Sequence, residues 1–356
     1  MADERQLRCL IAAGGTAGHV LPAIAVADEL RSRGVHVTFA GSPDRVEAQL
    51  VPEAGYEFDA FRIEGLPRRP SVALVRAALL AGRAPLACGR ILARRRPDVV
   101  FGGGGYVAGP MVYAAWRKRT PAALSEADAR LGLANRLASP FARRIFLAYE
   151  APSLRGAKYL IVGRPIPANA FAMDRAVARA QLGLPAEGAV LLVAGARAGA
   201  RALNELAVEA FGAVGPAVLH VCGQRDYESL RTRVSRADYR LVPVLDGLGA
   251  AYGACDLAIM RSGSTVWELA AAGLPAILVP YPFATADHQT VNARYFASRG
   301  GAILVPETGL GSVPELARSL LDDPARLTRM AEHMRELARP DAARVIAEEL
   351  IQLAAA

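Results

Sequence analysis

Lysine is nearly absent from this sequence. Lys118 and Lys158 are the only two among 356 residues, so arginine carries the formal net charge of +8. Cysteine is equally thin. Cys9, Cys88, Cys222 and Cys255 lie far apart with no CxxC pair, which excludes a disulfide framework and a thiolate metal site. They read as small buried hydrophobes in a reducing compartment. No run reaches the ~18 apolar residues of a membrane-spanning helix. The first residues, MADERQLRCLIAAGG, lack the apolar stretch of a signal peptide. A cytoplasmic protein is expected, with peripheral membrane contact open to it. No nucleic-acid motif is present, so the basic balance points to phosphates and anionic lipid. What is abundant is core material. Hydrophobic residues make up 53% and charged residues 21%, and the length suits two domains.

Residues 7–13 read as a buried strand running into Gly14-Gly15-Thr16-Ala17-Gly18-His19, with a helix over about 22–33. Strand, glycine turn and helix is the arrangement in which backbone N–H groups and a helix dipole hold a phosphate. It is not GxGxxG, and no acidic residue follows the next strand as a dinucleotide site requires. An ordinary βα turn with His19 at the helix start fits it about as well. Further strands are expected at 35–40 and 56–63, with a helix at 44–54. Residues 68–97 read as an amphipathic helix pair with a basic face, either solvated or set against anionic head groups. A strand at 98–101 then enters a second glycine turn, 102–105, followed by Tyr106 and a helix at about 111–117. Repeated βα alternation predicts a doubly wound parallel sheet.

A strand at 160–162 and the segment Gly163-Arg164-Pro165-Ile166-Pro167 read as a domain end and a stiff linker. The alternation then restarts: strand 190–194, turn 195–199, helix 200–211, and strands at 217–222, 239–244 and 257–260. The densest chemistry lies at 261–292, RSGSTVWELAAAGLPAILVPYPFATADHQTVN. Thr265 and Glu268 match a capping box by spacing, N-cap and N3. The same two residues, with Arg261, Ser264, His288, Gln289 and Asn292, also suit an anion and polyol site at a sheet edge. A last strand is expected at 301–305, with amphipathic helices at 313–337 and 342–353.

Taken together, GGTAGHVLPAIAVADEL, GGYVAGP, GLANR, the Gly199-Ala200-Arg201 segment and RSG through DHQ and NA resemble glycosyltransferase family 28. The resemblance is to its peptidoglycan branch, peripheral membrane enzymes that transfer N-acetylglucosamine from UDP-N-acetylglucosamine to the undecaprenyl-diphosphate muramoyl-pentapeptide carrier. It covers essentially the whole chain. It implies an α/β protein of two doubly wound Rossmann-like domains facing a cleft, the glycosyltransferase B fold. Residues 1–163 would form the acceptor and membrane-facing domain and 164–340 the nucleotide-sugar domain, with helix 341–356 returning to the first. It implies inverting chemistry without a metal or cofactor, at the cytoplasmic face of the membrane.

The resemblance also implies residue roles. His19 would be the base or orient the acceptor, and Glu126 is the second catalytic candidate. Gly14, Gly15, Gly104, Gly105, Tyr106 and His19 would hold the polyprenyl diphosphate. Thr16, Ala17, Gly18, Asp128, Arg164, Arg197, Arg261, Ser264 and Thr265 would face the donor. Glu268 would accept hydrogen bonds from ribose hydroxyls, and His288, Gln289 and Asn292 would contact the sugar. Four departures fall on the donor side. The family's His-Glu-Gln-Asn is Ser125-Glu126-Ala127-Asp128, and a donor-contacting serine is replaced by Arg197. An expected arginine is Pro167, and the turn after Gly263 is one residue short. Two other readings therefore stay open: a transferase with another nucleotide sugar or phospholipid acceptor, and a non-catalytic binder of lipid diphosphate or nucleotide.

Overall fold

Strands buried on both faces must be apolar along their whole length, and that is how parallel sheets read. The computed structural model describes residues 6–65, 72–151, 153–195 and 199–356, and it shows two such sheets. The chain divides into two compact units, Met1–Ile166 with Arg339–Ala356, and Pro167–Ala338. Arg164 lies in the first unit, where it is buried and bonds to the Gly18 carbonyl.

In the first unit, β1 (Arg8–Ala13), α1 (Ala17–Ser32), β2 (His36–Gly41), α2 (Glu47–Glu53) and β3 (Glu57–Ala60) come first. They are followed by α3 (Val72–Arg95), β4 (Val99–Gly104), α4 (Ala108–Arg117), β5 (Ala122–Glu126), α5 (Leu133–Ala138), β6 (Arg144–Leu147) and β7 (Tyr159–Ile161). The strands lie in the order β3-β2-β1-β4-β5-β6-β7, all parallel. Alternate residues of β1 feed opposite faces. Cys9, Ile11 and Ala13 pack with α1, while Leu10 and Ala12 pack with Met111 and Val112 of α4.

Two expectations for this unit need correction. The strand expected at 56–63 is β3 alone, because the pairing with β2 stops at Ala60. The helix pair expected at 68–97 is, in its described part, the single helix α3. Pro85 lies within it, and buried Ala84, Cys88, Ile91 and Leu92 hold it to the sheet through the missing backbone bond. Residues 66–71, including Arg68 and Arg69, lie outside the described residues.

The second unit contains α6 (Arg175–Leu182), β8 (Val190–Ala194), α7 (Arg201–Phe211), β9 (Ala217–Val221), α8 (Gln224–Arg231), β10 (Tyr239–Val242) and α9 (Gly249–Ala254). It continues with β11 (Leu257–Met260), α10 (Val266–Ala272), β12 (Ala276–Leu278), α11 (His288–Ala297), β13 (Ala302–Leu304), α12 (Val313–Leu321) and α13 (Pro324–Leu337). Its parallel order is β10-β9-β8-β11-β12-β13. The last helix, α14 (Ala342–Ala355), packs on α1 and β4 of the first unit. There Ile346, Ala347 and Leu350 join the core of Val26 and Leu30.

Both sheets run outward from their first strand and then resume on its other side, between β1 and β4 and between β8 and β11. In open α/β sheets, ligands bind beyond the carboxyl ends of the strands at such switch points. Both switch points here end in glycine turns.

Candidate functional site

At the first switch point, the two glycine turns of the first unit meet. Gly14 N–H donates to the Gly104 carbonyl at 3.3 Å. Gly105 has φ 77°, and a Cβ there would stand 2.1 Å from the Gly14 oxygen, so only glycine allows this approach. The His19 ring lies over Gly104, where a Cβ would come within 2.6 Å of its Cδ2. The Tyr106 ring lies 3.0 Å from the Cβ position of Gly15. His19 Nδ1 and the Thr16 hydroxyl are 3.1 Å apart. The structure therefore gathers Gly14, Gly15, Thr16, His19, Gly104, Gly105 and Tyr106, with Ala17 and Gly18 opening α1 beside them. Burial raises the Tyr106 hydroxyl above its ordinary pKa, and the charge of Arg45 opposes that rise.

Glu47 is a member of this site that the sequence did not reveal. It is fully buried. One carboxylate oxygen accepts the Gly15 N–H at 2.9 Å and the other the Ser42 N–H at 3.0 Å. Gly14 and Gly41 leave the space it fills, since Cβ atoms there would lie 2.2 Å and 2.8 Å from its side chain. In the sequence it is one acidic residue on an ordinary amphipathic helix.

Glu126 and Arg164 are both committed within the first unit. Glu126 ends β5 and is 5% exposed. Its oxygens accept Asp128 N–H at 3.1 Å, Gly132 N–H at 2.8 Å and Asn135 Nδ2 at 2.9 Å. Burial raises its pKa, and those donors oppose the rise. The carboxylate thus organises the loop that carries Asp128, and Asn135 ties the GLANR segment to the end of β5. Arg164 donates through Nη2 to the Gly18 carbonyl.

At the second switch point lies a cavity of about 690 Å³. Its walls include Gly195, Gly199, Ala200, Arg201, Arg225, Arg261, Gly263, Ser264, Thr265, Tyr281, Gln289 and Glu307. Gly199 has φ 76°, and a Cβ there would stand 2.1 Å from the Cys222 oxygen, so the entry into α7 needs glycine. The N-cap Ala200 has no side chain to bond the first N–H groups of α7, and its first turn has no acid. N–H groups that the N-cap side chain leaves unbonded, at the start of an eleven-residue helix, favour an anion. Arg197 lies outside the described residues.

Of the residues expected here, Arg261, Ser264, Thr265 and Gln289 line the cavity; Glu268, His288 and Asn292 do not. Arg261 is buried. It donates to the Val279 and Pro280 carbonyls at 3.2 Å and 3.1 Å, pairs with Glu307 at 2.5 Å and lies 5.5 Å from the Tyr281 ring centroid. Gln289 Oε1 accepts the Tyr281 N–H at 2.9 Å, which fixes the amide in the wall. Asn292 is buried, with its amide 3.4 Å from the Ser262 carbonyl, so it braces the turn from below. His288 Nδ1 lies 2.8 Å from the Thr285 carbonyl, an acceptor only, so Nδ1 carries the hydrogen. The capping box is not formed. Thr265 is already helical (φ −61°, ψ −15°) with no side-chain cap bond, and Glu268 accepts the Tyr252 hydroxyl instead. Arg201, Arg225, Tyr281 and Glu307 were not singled out as site residues from the sequence. Arg201 had a signal, as the first helical residue after a glycine turn.

Beneath this cavity runs a buried polar chain. Asn204 donates to the Cys222 carbonyl at 2.9 Å and to Asp226 at 2.8 Å, and its oxygen lies 3.0 Å from His220 Nε2. His220 Nδ1 lies 2.9 Å from the Tyr239 hydroxyl. Asp226 in turn holds Arg225 through two bonds of 2.7 Å and 2.8 Å.

Residues 9–147 match the glycosyltransferase family 28 N-terminal domain, and residues 190–347 its C-terminal domain. The chain is 42% identical to the UDP-N-acetylglucosamine–N-acetylmuramyl-(pentapeptide) pyrophosphoryl-undecaprenol N-acetylglucosamine transferase of Acidithiobacillus ferrooxidans, over 99% of both chains. It is 40% identical to the protein of that name from Halorhodospira halophila, over 93% of this chain and 94% of the other. The crystal structure of Acinetobacter baumannii MurG superposes with a TM-score of 0.76 at 28% identity, covering 97% of this chain and 99% of that one. Two parallel-sheet, Rossmann-like units of this kind are those of glycosyltransferase B structures. With both of its domains matched and relatives this similar over nearly its full length, the chain belongs to glycosyltransferase family 28.

Proposed function

We propose that this protein transfers N-acetylglucosamine from UDP-N-acetylglucosamine to the undecaprenyl-diphosphate muramoyl-pentapeptide carrier, converting lipid I to lipid II in peptidoglycan synthesis. The observation that carries the donor half is the cavity at the β8/β11 switch, which joins a helix start without a side-chain cap to fixed polar side chains. The α7 N-terminus and Arg201 receive the diphosphate of UDP. Ser264, Thr265 and Gln289 hydrogen-bond the nucleotide sugar, and Glu268, one turn behind the cavity wall with Oε2 held by Tyr252, takes the ribose hydroxyls through Oε1. The acceptor half rests on the paired glycine turns under His19 and Tyr106, which receive the lipid diphosphate. The second unit is thus the nucleotide-sugar domain and the first the acceptor domain.

An inverting transfer needs a base for the acceptor hydroxyl and stabilisation of the leaving diphosphate. His19 is the base. With Nδ1 engaged by Thr16, Nε2 takes the proton as the acceptor oxygen bonds to the anomeric carbon. The bond from that carbon to the UDP oxygen breaks, and UDP leaves with both electrons. The helix dipole and Arg201 stabilise the developing charge. Glu126 acts one step back, through the loop that presents Asp128.

Attachment to the cytoplasmic face of the membrane is part of the proposal. No helix among the described residues is long and apolar enough to cross a membrane. Leu79 and Leu86 of α3, Trp116 of α4, and Leu133 and Leu137 of α5 are all at least half exposed on adjacent helices. Arg90, Arg117 and Lys118 line the groove between α3 and α4. Arg94 and Arg95, which the sequence put in a basic patch, pair with Asp59 and Glu57 instead. Apolar side chains flanked by cations suit an anionic lipid surface.

A donor screen with a soluble lipid I analogue tests the assignment. Turnover with UDP-N-acetylglucosamine alone is expected. Turnover only with another nucleotide sugar would move the protein to a different transferase. Tight UDP binding without turnover from any donor would make it a binder.

A further inference from the structure

We propose that Arg164 is a positioning residue for His19, acting through the Gly18 carbonyl, and not a ligand of the nucleotide sugar. The proposal rests on the reading of His19 as the base. In α1, the helical partner of the Gly18 carbonyl is the N–H of residue 22. That residue is Pro22, inside the helix, which has no N–H and crowds the carbonyl four residues before it. Gly18 directly precedes His19, so the gap falls on the backbone that carries the catalytic ring. Arg164 fills it, with Nη2 donating to the Gly18 oxygen.

The burial of Arg164 supports this role. The residue is 2% exposed, and burying a guanidinium that deeply costs free energy that its bond to the Gly18 carbonyl partly offsets. Arginine suits the place because its planar fork reaches a carbonyl without losing its charge. Other bonds hold the rest of the same turn. The Thr16 carbonyl accepts His19 N–H at 3.0 Å and Val20 N–H at 3.2 Å, and Glu47 accepts Gly15 N–H at 2.9 Å. The turn is thus clamped on its N–H side by a buried carboxylate and on its carbonyl side by a buried guanidinium.

The missing N–H supplies the test. Pro22→Ala returns a donor to Gly18 and should make Arg164 dispensable. Arg164→Gln in the full-length protein should lower kcat roughly ten- to a hundredfold with donor KM nearly unchanged. It should also move the His19 ring signal, which can be followed by NMR because the chain has five histidines. Combining Pro22→Ala with Arg164→Gln should restore both readouts. A raised donor KM that Pro22→Ala does not restore would overturn the proposal, as would a His19 signal that ignores Arg164→Gln. If Arg164→Gln alone fails to fold, a folded double variant supports the proposal and an unfolded one overturns it. If His19→Ala keeps full activity while the ring signal still moves and returns, the positioning role stands and the base assignment falls.

Discussion

Tyr252 donates its phenolic hydrogen to Glu268 Oε2 across 2.8 Å, joining α9 to the first turn of α10. The tyrosine is buried, and burial together with the neighbouring carboxylate raises its pKa well above the ordinary value, so the bond keeps its hydrogen. One Glu268 oxygen is thereby fixed, and the carboxylate is aimed before any ligand arrives. Tyr252→Phe should cost about 1 kcal/mol of stability and weaken UDP binding several-fold by calorimetry. Glu268→Ala should weaken it further. Equal affinities in both variants and the wild type would take Glu268 away from the ribose.

His19→Ala should lower turnover by about two orders of magnitude or more while UDP affinity stays near that of the wild type. Separate measurement of kcat and of UDP binding decides it. A fully active variant removes His19 from the chemistry.

Glu47→Gln replaces a double acceptor with a group that presents a donor to either Gly15 or Ser42. The buried mismatch should cost about 1–3 kcal/mol and lower the denaturation midpoint. An unchanged midpoint would mean that the turn holds its shape without the carboxylate.

His220 gives the second unit a pH dependence. Burial lowers its pKa to about 3, so the folded protein keeps it neutral. The unfolded chain protonates it near the ordinary value of about 6.5. Its neutral form therefore costs nothing above that pH. Stability is lost as pH falls from about 6.5 toward 3, with a slope of up to about 1.4 kcal/mol per pH unit from this one group. Below that window both states are protonated and the slope vanishes. His220→Gln should flatten the acid limb of urea midpoints measured across the window, and an unaltered slope would assign that limb to other groups.

Leu86→Glu together with Trp116→Glu should weaken sedimentation with anionic liposomes while leaving turnover of a soluble acceptor analogue intact. Reversing Arg94 and Arg95 should matter less, because Asp59 and Glu57 already neutralise them. The opposite ranking would return the lipid surface to the C-terminal end of α3.

The parallel strands and both glycine turns were legible in the sequence because each depends on local signals, apolar runs and residues that permit positive φ. Gly14, Gly105 and His19 could be picked out singly, and their meeting follows from the β1–β4 pairing. Contacts made by residues distant in the chain were not legible. Thr265 and Glu268 have the spacing of a capping box, yet Tyr252 claims the carboxylate from another helix. For Arg164, sequence shows the charge and not the burial or the bond to the Gly18 carbonyl. Glu47 showed no signal at all, since its partners Gly15 and Ser42 are backbone groups, and any residue type supplies those. The helix pair expected at 68–97 failed on Pro85, which packing carries through α3.

The return of α14 has a consequence for how the protein is made. Ile346, Ala347 and Leu350 complete a core whose other members include Ile11, Val26 and Leu30, and the whole of the second unit is synthesised in between. On the ribosome, the second unit can fold as soon as it emerges, while the first waits with an open apolar flank until the last helix leaves the exit tunnel. A stop codon just after Ala338 would thus spare the unit closest to it in sequence and expose the one made first.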